Sequence, residues 1–234
     1  MLTDSDLMRV NVRALFTHNA ESRLLFVNEP DAAKIPAPRL FLGRTRTGNI
    51  WRFRVDLPAD LIEELSALCA AEPPLENEFA APRYTGEYAR LLERHAPVAE
   101  TETNLAYYFA EDAAPSESVI GVTTQNAEVL RGGFEKLIEE LATWQPFVAL
   151  VKENRAVSVC RSVRITREAH EAGVETLPEY RVNGFAKEVA ANWARLVRAA
   201  NAIPMYSTTL ENHASQAVAR KLGLTHYGTS FQIA

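Results

Sequence analysis

The sequence has little cysteine and no long apolar run, and each shortage excludes a class of protein. Its two cysteines, Cys69 and Cys160, are far apart and lack the spacing of a metal site or a disulfide framework. We therefore predict a reducing, cytoplasmic setting and no bound metal. No apolar stretch approaches the ~20 residues that a helix needs to cross a bilayer. The acidic segment from Met1 to Asp6 is unlike a secretory signal, so no membrane partner is expected.

An excess of basic residues is also missing. Lys and Arg together number 25 against 30 Asp and Glu, which gives a formal net charge of −5. Proteins that bind nucleic acid usually carry a basic footprint, so no nucleic-acid partner is predicted. The remaining composition, 47% hydrophobic and 24% charged, is that of a globular protein. A chain of 234 residues suffices for one large or two small domains.

The first half of the chain predicts an α+β region. Periodicity and turn residues indicate, in order, a helix, a short strand, a hairpin, two helices and a strand. These are residues 4–16 (capped by Asp4 or Ser5), 24–28, 40–45 with 50–55, a helix from Pro58, 84–95 and 105–109. The hairpin region carries five arginines, for which a solvated strand face is favoured over an anion site: Arg39, Arg44, Arg46, Arg52 and Arg54.

A domain boundary is predicted in the small, acidic stretch 110–118, which is broken by Pro115. It divides an N-terminal α+β region, residues 1–115, from a C-terminal domain, residues 116–234. The order of elements in the first region allows it to be a degenerate copy of the second.

The second half predicts mixed α/β structure. A strand at 119–123 and a helix at 126–144 come first, although glycines at 132 and 133 weaken that helix. The apolar runs 147–151, 156–166 and 172–177 then indicate an antiparallel meander. Alternating helices and strands follow, and this order gives a mixed α/β fold.

The most informative stretch runs from Ala172 to Ala200. A strand ends at Pro178, the chain turns at Gly184, and a helix begins near Lys187. Free N–H groups and the helix dipole at such a junction favour an anion. Gly184 has no Cβ to obstruct a phosphate, and Arg181 adds a permanent positive charge. The stretch indicates a pyrophosphate-binding turn, with a plain connecting turn as the alternative.

A second strand and helix downstream extend the pattern. Residues 203–208 are apolar, and the helix from Asn212 to Leu222 ends at Gly223. Together the two units resemble the GCN5-related N-acetyltransferase (GNAT) superfamily. There, Arg or Gln, two residues, Gly, one residue, then Gly or Ala forms the coenzyme A pyrophosphate loop, and 181–186 fits at every defined position. The resemblance covers the C-terminal half and implies a GNAT-like fold with a mixed, mostly antiparallel central sheet.

The resemblance implies an N-acetyltransferase that uses acetyl-CoA as co-substrate. A small-molecule or peptide amine would attack the thioester directly. The residues implied in cofactor binding are Val174, Thr176, Arg181, Val182, Asn183, Gly184, Phe185, Ala186, Asn212 and Ser215. Asn212 would in any case cap its helix. Lys187, Arg220 and Lys221 are further candidates for the nucleotide phosphates or are solvated helix residues.

The reaction needs a base for the amine and favours an acid for the departing thiolate. The family often uses a glutamate near the start of the splayed strand, which implies Glu171 first, Glu175 second and His170 third. The family's thiolate-protonating tyrosine corresponds to Ala219 here. Tyr206 or Tyr227 could replace it, water could, or no acid is needed.

Three points stay open at the level of sequence. The missing tyrosine allows a catalytically silent acyl-CoA-binding or regulatory module, and the turn alone allows another nucleotide. Arg161 falls on an apolar strand face, where it must pair with a carboxylate or ligand, or be turned to solvent by a bulge. Cys160 is favoured as a buried small residue over a nucleophile. Neither the acceptor nor the oligomeric state is indicated, a homodimer being one option.

Overall fold

The computed structural model describes residues 2–29, 34–110 and 116–234. Residues 111–115 of the predicted boundary lie outside the described residues. The helices are α1 Asp4–Leu15, α2 Ala59–Ala71, α3 Thr85–Glu93, α4 Phe185–Ala199 and α5 His213–Leu222. The strands are β1 Phe16–His18, β2 Leu24–Val27, β3 Leu40–Thr45, β4 Gly48–Phe53, β5 Thr101–Tyr108, β6 Val119–Gly121, β7 Phe147–Lys152, β8 Arg155–Ile165, β9 Ala169–Thr176, β10 Ile203–Thr209 and β11 Thr225–Ile233.

One large sheet organises the described part of the chain. Its nine strands run in the order β4-β3-β11-β5-β10-β9-β8-β7-β6, and β1 and β2 form a separate pair. All neighbours are antiparallel except β9 and β10. The predicted mixed α/β class with a mostly antiparallel sheet is confirmed. Strand β5 of the first half lies between β11 and β10 of the second, so both halves contribute to one sheet; the predicted division into two domains stays a prediction.

Helices cover both faces of the sheet because alternate strand residues point to opposite sides. On one face, α4 and α5 pack on a core that includes Trp193 and Tyr206, while α2 and α3 pack beside them on Leu40 and Leu42. On the other face, α1 covers Phe41 and its neighbours. The segment 122–146 extends that second layer over β7 and β8. The sheet is therefore buried between two layers.

The parallel pair β9 and β10 separates along its length. Register pairing runs from Ile203 opposite Ala169 to Met205 opposite Glu171 and stops there. Beyond Glu171, β9 continues to Thr176 paired to β8 alone, while β10 continues paired to β5. This separation opens a slot in the middle of the sheet.

The predicted helix 126–144 is wrong. Two short 3-10 turns, Ala127–Leu130 and Glu135–Leu137, stand in its place. Gly132 and Gly133 between them have φ of +91° and +152°, values that an α-helix excludes. A Cβ on Gly133 would lie 2.5 Å from the side chain of Leu177. Four apolar residues of this segment, Leu130, Phe134, Leu137 and Leu141, are still buried, but along an irregular path.

The solvated face predicted for the hairpin arginines is wrong for two of them. Arg39 is buried and donates hydrogen bonds to four carbonyl oxygens, those of Leu92, Ala96, Pro97 and Ala234, at 2.7–3.0 Å. Arg44 is buried beside Glu72, with 3.6 Å between Nε and Oε1. These arginines pin the sheet edge to α2, α3 and the chain end. The N-cap of α1 is Thr3 rather than Asp4 or Ser5, and it forms a capping box with Asp6.

Within the described residues, no helix has the length and apolarity to cross a bilayer. The same residues contain no group of three or more His, Cys, Asp or Glu side chains placed to hold a metal ion.

Candidate active site

A groove of about 830 Å³ lies where β9 and β10 separate. Its walls include most of the residues predicted to bind cofactor or to act in catalysis: Val174, Glu175, Thr176, Arg181, Val182, Gly184, Phe185, Ala186, Tyr206, Asn212 and Ser215. Asn183 and Glu171 do not line it directly. Lys187 and Lys221 lie on its wall, and Arg220 does not. Residues from three distant parts of the sequence thus meet at one site.

The turn 181–186 presents unused backbone donors at one end of the groove. The amides of residues 182–186 donate no hydrogen bond to any described group, whereas those of Tyr180 and Arg181 are bonded to Leu177 O and Pro178 O. Val182 and Gly184 are left-handed, with φ of 62° and 85°. Alternating backbone handedness makes successive N–H groups converge into an anion-binding nest. The Asn183 side chain stabilises the turn by donating to the carbonyls of Tyr180 and Arg181, both at 3.2 Å.

The open edge of β9 supplies further amides. The Leu177 amide donates to Val157 O on β8 at 3.0 Å. Donors alternate sides along an antiparallel strand, and Thr176 and Val174 lie opposite Ser158 and Cys160. The amides of Val174 and Thr176 therefore point away from β8, into the slot. The Thr176 carbonyl accepts from Arg181 Nε at 3.4 Å, which ties the nest to this edge.

Glu171 is buried at the point where β9 and β10 separate, with 2% of its surface exposed. Its carboxylate accepts from Asn11 Nδ2 at 2.8 Å and from Ser207 Oγ at 3.3 Å. Burial raises the pKa of Glu171 to about 7, against the opposing effects of Arg164 and these hydrogen bonds. Ser207 lines the groove, so the hydrogen bond from its hydroxyl connects the buried Glu171 carboxylate to the groove. A carboxyl with such a pKa exchanges protons readily at neutral pH.

Glu175 lies on the groove wall but is held by two cations. Arg161 Nη1 is 2.8 Å from one of its carboxylate oxygens, and Lys136 Nζ is 3.4 Å from the other. The Arg161 guanidinium also stacks over the Trp144 ring, with its centre 4.5 Å from the ring centroid. The choice left open for Arg161 is thus resolved, since the charge pairs with a carboxylate. Both oxygens of the Glu175 carboxylate are thus engaged by cations of the chain, so Glu175 stays the second candidate after Glu171.

Tyr206 places its hydroxyl on the helix side of the groove. The hydroxyl lies 2.7 Å from Ser215 Oγ on α5. Burial raises the Tyr206 pKa to about 12, so it keeps its proton at neutral pH. Ser215 and Ala219 are one helical turn apart on the same face, and Ala219 is buried. Tyr206 therefore reaches the helix face that lacks a tyrosine at position 219.

Two other predicted candidates lie away from the groove. Tyr227 is buried on the α1 side against Met205. His170 is buried, with Nδ1 2.9 Å from Ser162 Oγ, which also accepts from Trp193 Nε1 at 3.1 Å. Both side chains serve the core. Cys160 is buried as favoured from the sequence, and burial raises its pKa well above the usual value.

Asn212 caps α5 as predicted, accepting from the Ser215 amide at 3.0 Å. Three residues of the site were missed by sequence reasoning. Asn11 holds Glu171 from 160 positions away, and no local pattern signals such a contact. Lys136 falls in the segment mistaken for a helix. Ser207 could have been found from the strand alternation. It follows Tyr206 on β10, so its side chain points to the face opposite Tyr206, where it meets Glu171.

Comparisons with known proteins found one matching family model and several similar solved structures. Residues 147–230 match the family described as GNAT acetyltransferase. A GCN5-related N-acetyltransferase-like protein from Streptococcus suis is 16% identical over 85% of each chain, with a TM-score of 0.48. A GNAT-family acetyltransferase from Colwellia psychrerythraea is 14% identical over 79% of this chain and 75% of its own, with a TM-score of 0.47.

A third solved structure, a GNAT-family protein from Novosphingobium aromaticivorans, is 14% identical with a TM-score of 0.45. The match covers 58% of this chain and 65% of that one, so it spans less than two thirds of the length of that protein. No curated protein sequence matches the chain significantly.

Proposed function

We propose that this protein, whose residues 147–230 match the family described as GNAT acetyltransferase, transfers an acetyl group from acetyl-CoA to an amine. The observation that carries the proposal is the row of unbonded amides at 182–186, which opens onto a groove leading to Glu171 and Tyr206. A reduced cytoplasmic location and the option of a homodimer stay predictions.

The residues present fit a coenzyme A diphosphate. Five free amides, the N-terminus of α4 and Arg181 supply positive potential at one end of the groove. The amides of Val174 and Thr176 lie beside the path that a pantetheine arm would follow, with Asn212 and Ser215 opposite. The co-substrate supplies an acetyl group activated as a thioester. The chain supplies position and proton handling.

Glu171 is the base in this proposal. An amine at the slot passes its proton through Ser207, or a water at that position, to the Glu171 carboxylate. A pKa near 7 keeps part of the carboxylate ionised at neutral pH and still allows it to accept a proton. Asn11 fixes the carboxylate from behind.

A backbone amide and a phenol stabilise the negative charge that develops on the thioester carbonyl oxygen and on the sulfur. The Val174 amide, directed into the slot, donates to the carbonyl oxygen as it becomes negative. Tyr206, held by Ser215, donates a hydrogen bond to the sulfur as the carbon–sulfur bond breaks. Because its pKa is about 12, Tyr206 donates a hydrogen bond to the thiolate without transferring its proton fully.

Binding of acetyl-CoA by calorimetry tests the core of the proposal. We expect Gly184→Glu to abolish binding, because it puts a carboxylate where the diphosphate must lie. Gly184→Ala adds a Cβ without a charge at a position whose φ is 85°. Its binding of acetyl-CoA therefore measures the effect of backbone strain alone. Gly86→Glu is the matched control: Gly86 lies in α3 with open space around it. Wild-type protein that binds no acetyl-CoA, or Gly184→Glu that binds it normally, would contradict the proposal.

A catalytically silent acyl-CoA-binding module is the second candidate, favoured by one observation, the alanine at position 219. It predicts the same binding results. The two candidates differ in turnover: thioester consumption across a broad panel of amines, measured with free-thiol reagents, is expected for the transferase. No consumption above that of Glu171→Gln would favour the module.

A further inference from the structure

A second cavity, of about 520 Å³, shares no residue with the groove. Its walls come from the end of α1, from the β1–β2 pair, from β4 and from the turn between β8 and β9. The residues that matter for its chemistry are Arg13, His18, Arg52, Arg167 and Glu168. The sequence favoured a solvated strand face for Arg52, but its side chain is half-buried and lines this open cavity.

The cavity carries more positive than negative charge. Three guanidinium groups face one carboxylate, and that carboxylate, Glu168, is already bonded to Arg13 Nε at 2.8 Å. Arg52 donates to the carbonyl of Trp51 at 2.8 Å. Neither Arg52 nor Arg167 has a carboxylate within ion-pair distance among residues 2–29, 34–110 and 116–234. The chain as a whole has a net charge of −5, so the cavity concentrates positive charge in a protein that is negative overall.

The titratable groups in the cavity show the effect of that excess. Burial, then repulsion by Arg52 and Arg13, lowers the pKa of His18. Burial, then repulsion by Arg13 and Arg9, lowers the pKa of Arg52. His18 Nε2 is buried and has no hydrogen-bond partner within the described chain. A buried polar atom without a partner costs free energy that a bound molecule would restore.

We propose that this cavity is a second ligand site, which binds a small organic dianion, a phosphate ester or a dicarboxylate. Arginine forks match the oxygen pairs of both groups, and a half-buried guanidinium without a carboxylate gains most from such a partner. The buried nitrogen of His18 provides a polar contact for an additional ligand oxygen or hydroxyl. The volume exceeds that of one inorganic ion, which argues for an organic carrier of the charge.

The site borders two segments that also hold the base. Arg13 lies two residues after Asn11 on α1, and Glu168 lies three residues before Glu171. A dianion bridging Arg13 and Arg167 would tie α1 to the start of β9. The cavity is nevertheless separate from the groove, so binding there does not depend on the proposed transfer reaction.

Calorimetric titration of the full chain with inorganic phosphate, and separately with succinate, tests the proposal. The titrations are run with and without coenzyme A, because phosphate could also enter the nest at 182–186. We expect saturable binding that persists with coenzyme A present and that weakens at least tenfold in Arg52→Gln. Tighter binding of phosphate would identify the ligand as a phosphate ester, and tighter binding of succinate as a dicarboxylate.

A second variant guards against misfolding. Arg167 lies on an exposed turn, so Arg167→Gln is expected to weaken binding without disturbing the fold, which circular dichroism checks. Arg195→Gln, on an exposed position of α4, makes the same charge change elsewhere and is expected to bind as wild type. Absence of saturable binding of both probes, or unchanged binding in Arg52→Gln and Arg167→Gln, would overturn the proposal.

Discussion

At the residue scale, the setting of Glu171 shows what a sequence can and cannot reveal. Its place at the start of the splayed strand follows from the resemblance of the C-terminal half to the GNAT superfamily. Its burial, and the hydrogen bonds from Asn11 and Ser207, follow only from the packing of α1 on the sheet. The sequence therefore predicted which carboxyl to consider, and tertiary structure determines its pKa.

Replacing Glu171 tests its role as base. Because burial raises its pKa to about 7, the carboxylate forms as the pH rises through that value, and the wild-type transfer rate is expected to rise with it. Glu171→Gln is expected to lower kcat about 10²- to 10⁴-fold and to remove this pH dependence. Initial rates between pH 5.5 and 9 measure both effects. Glu175→Gln serves as comparison, and a Glu171→Gln enzyme with the wild-type profile would exclude the role.

Replacing Tyr206 tests its support of the leaving sulfur. Tyr206→Phe removes the hydroxyl that lies 2.7 Å from Ser215 Oγ but keeps the ring in the core. We expect kcat to fall about tenfold or more, with acetyl-CoA affinity little changed. Tyr227→Phe alters a buried tyrosine on the other face of the sheet and is expected to be neutral. Equal kinetics for Tyr206→Phe and Tyr227→Phe would remove Tyr206 from the mechanism.

At the scale of elements, local signals were reliable and irregular packing was not. The meander, the turn 181–186 and the cap at Asn212 are each set by residues within a few positions, and the structure has them where they were predicted. The segment 126–144 has helical spacing of apolar residues, yet Gly132 and Gly133 and the close approach of Leu177 select an irregular path. Tertiary contacts overrode the periodic pattern there.

The turn holds Val182 in a left-handed conformation, with φ of 62°, and leaves its side chain 96% exposed. A β-branched residue there costs about 1–2 kcal/mol, and no packing offsets it. Val182→Gly is therefore expected to raise the free energy of unfolding by about 0.5–1 kcal/mol, after the entropy gained by the unfolded chain. Urea denaturation measures this.

The control for that change is Val55→Gly. Val55 is also exposed, at 49%, but it has no positive φ, so glycine there is expected to destabilise by about 0.5–1 kcal/mol. Acetyl-CoA binding is expected to survive in Val182→Gly, because residue 182 contributes its amide. Equal destabilisation by the two substitutions would show that the turn is unstrained.

At the scale of the whole molecule, the sheet joins regions that composition divides. Strand β5 pairs with β10 from Asn104 to Tyr108 and with β11 from Thr101 to Tyr108. The small, acidic composition of residues 110–118 is a local property, whereas strand order is a property of the complete chain. No composition shift could have revealed that an early strand is inserted between two late ones.

A fragment tests how far the two predicted regions depend on each other. The fragment 116–234 lacks β3 and β5, so β11 would lose both of its strand partners and β10 would expose one unpaired edge. The packing of Leu105 and Tyr107 would be lost as well. We expect it to aggregate or to unfold without a cooperative transition, and the full chain to unfold cooperatively. Thermal melts followed by circular dichroism compare them. A fragment that melts sharply would support independent folding of the C-terminal region.

The slot between β9 and β10 passes through the sheet, with α4 and α5 on one side and the 122–146 segment on the other. On the proposed function, the thioester and the amine would enter the slot from opposite faces of the sheet and meet inside it. Neither must depart before the other arrives, so the acetyl group needs no temporary residence on the protein. The buried, inert thiol of Cys160 is in keeping with a transfer made in one move.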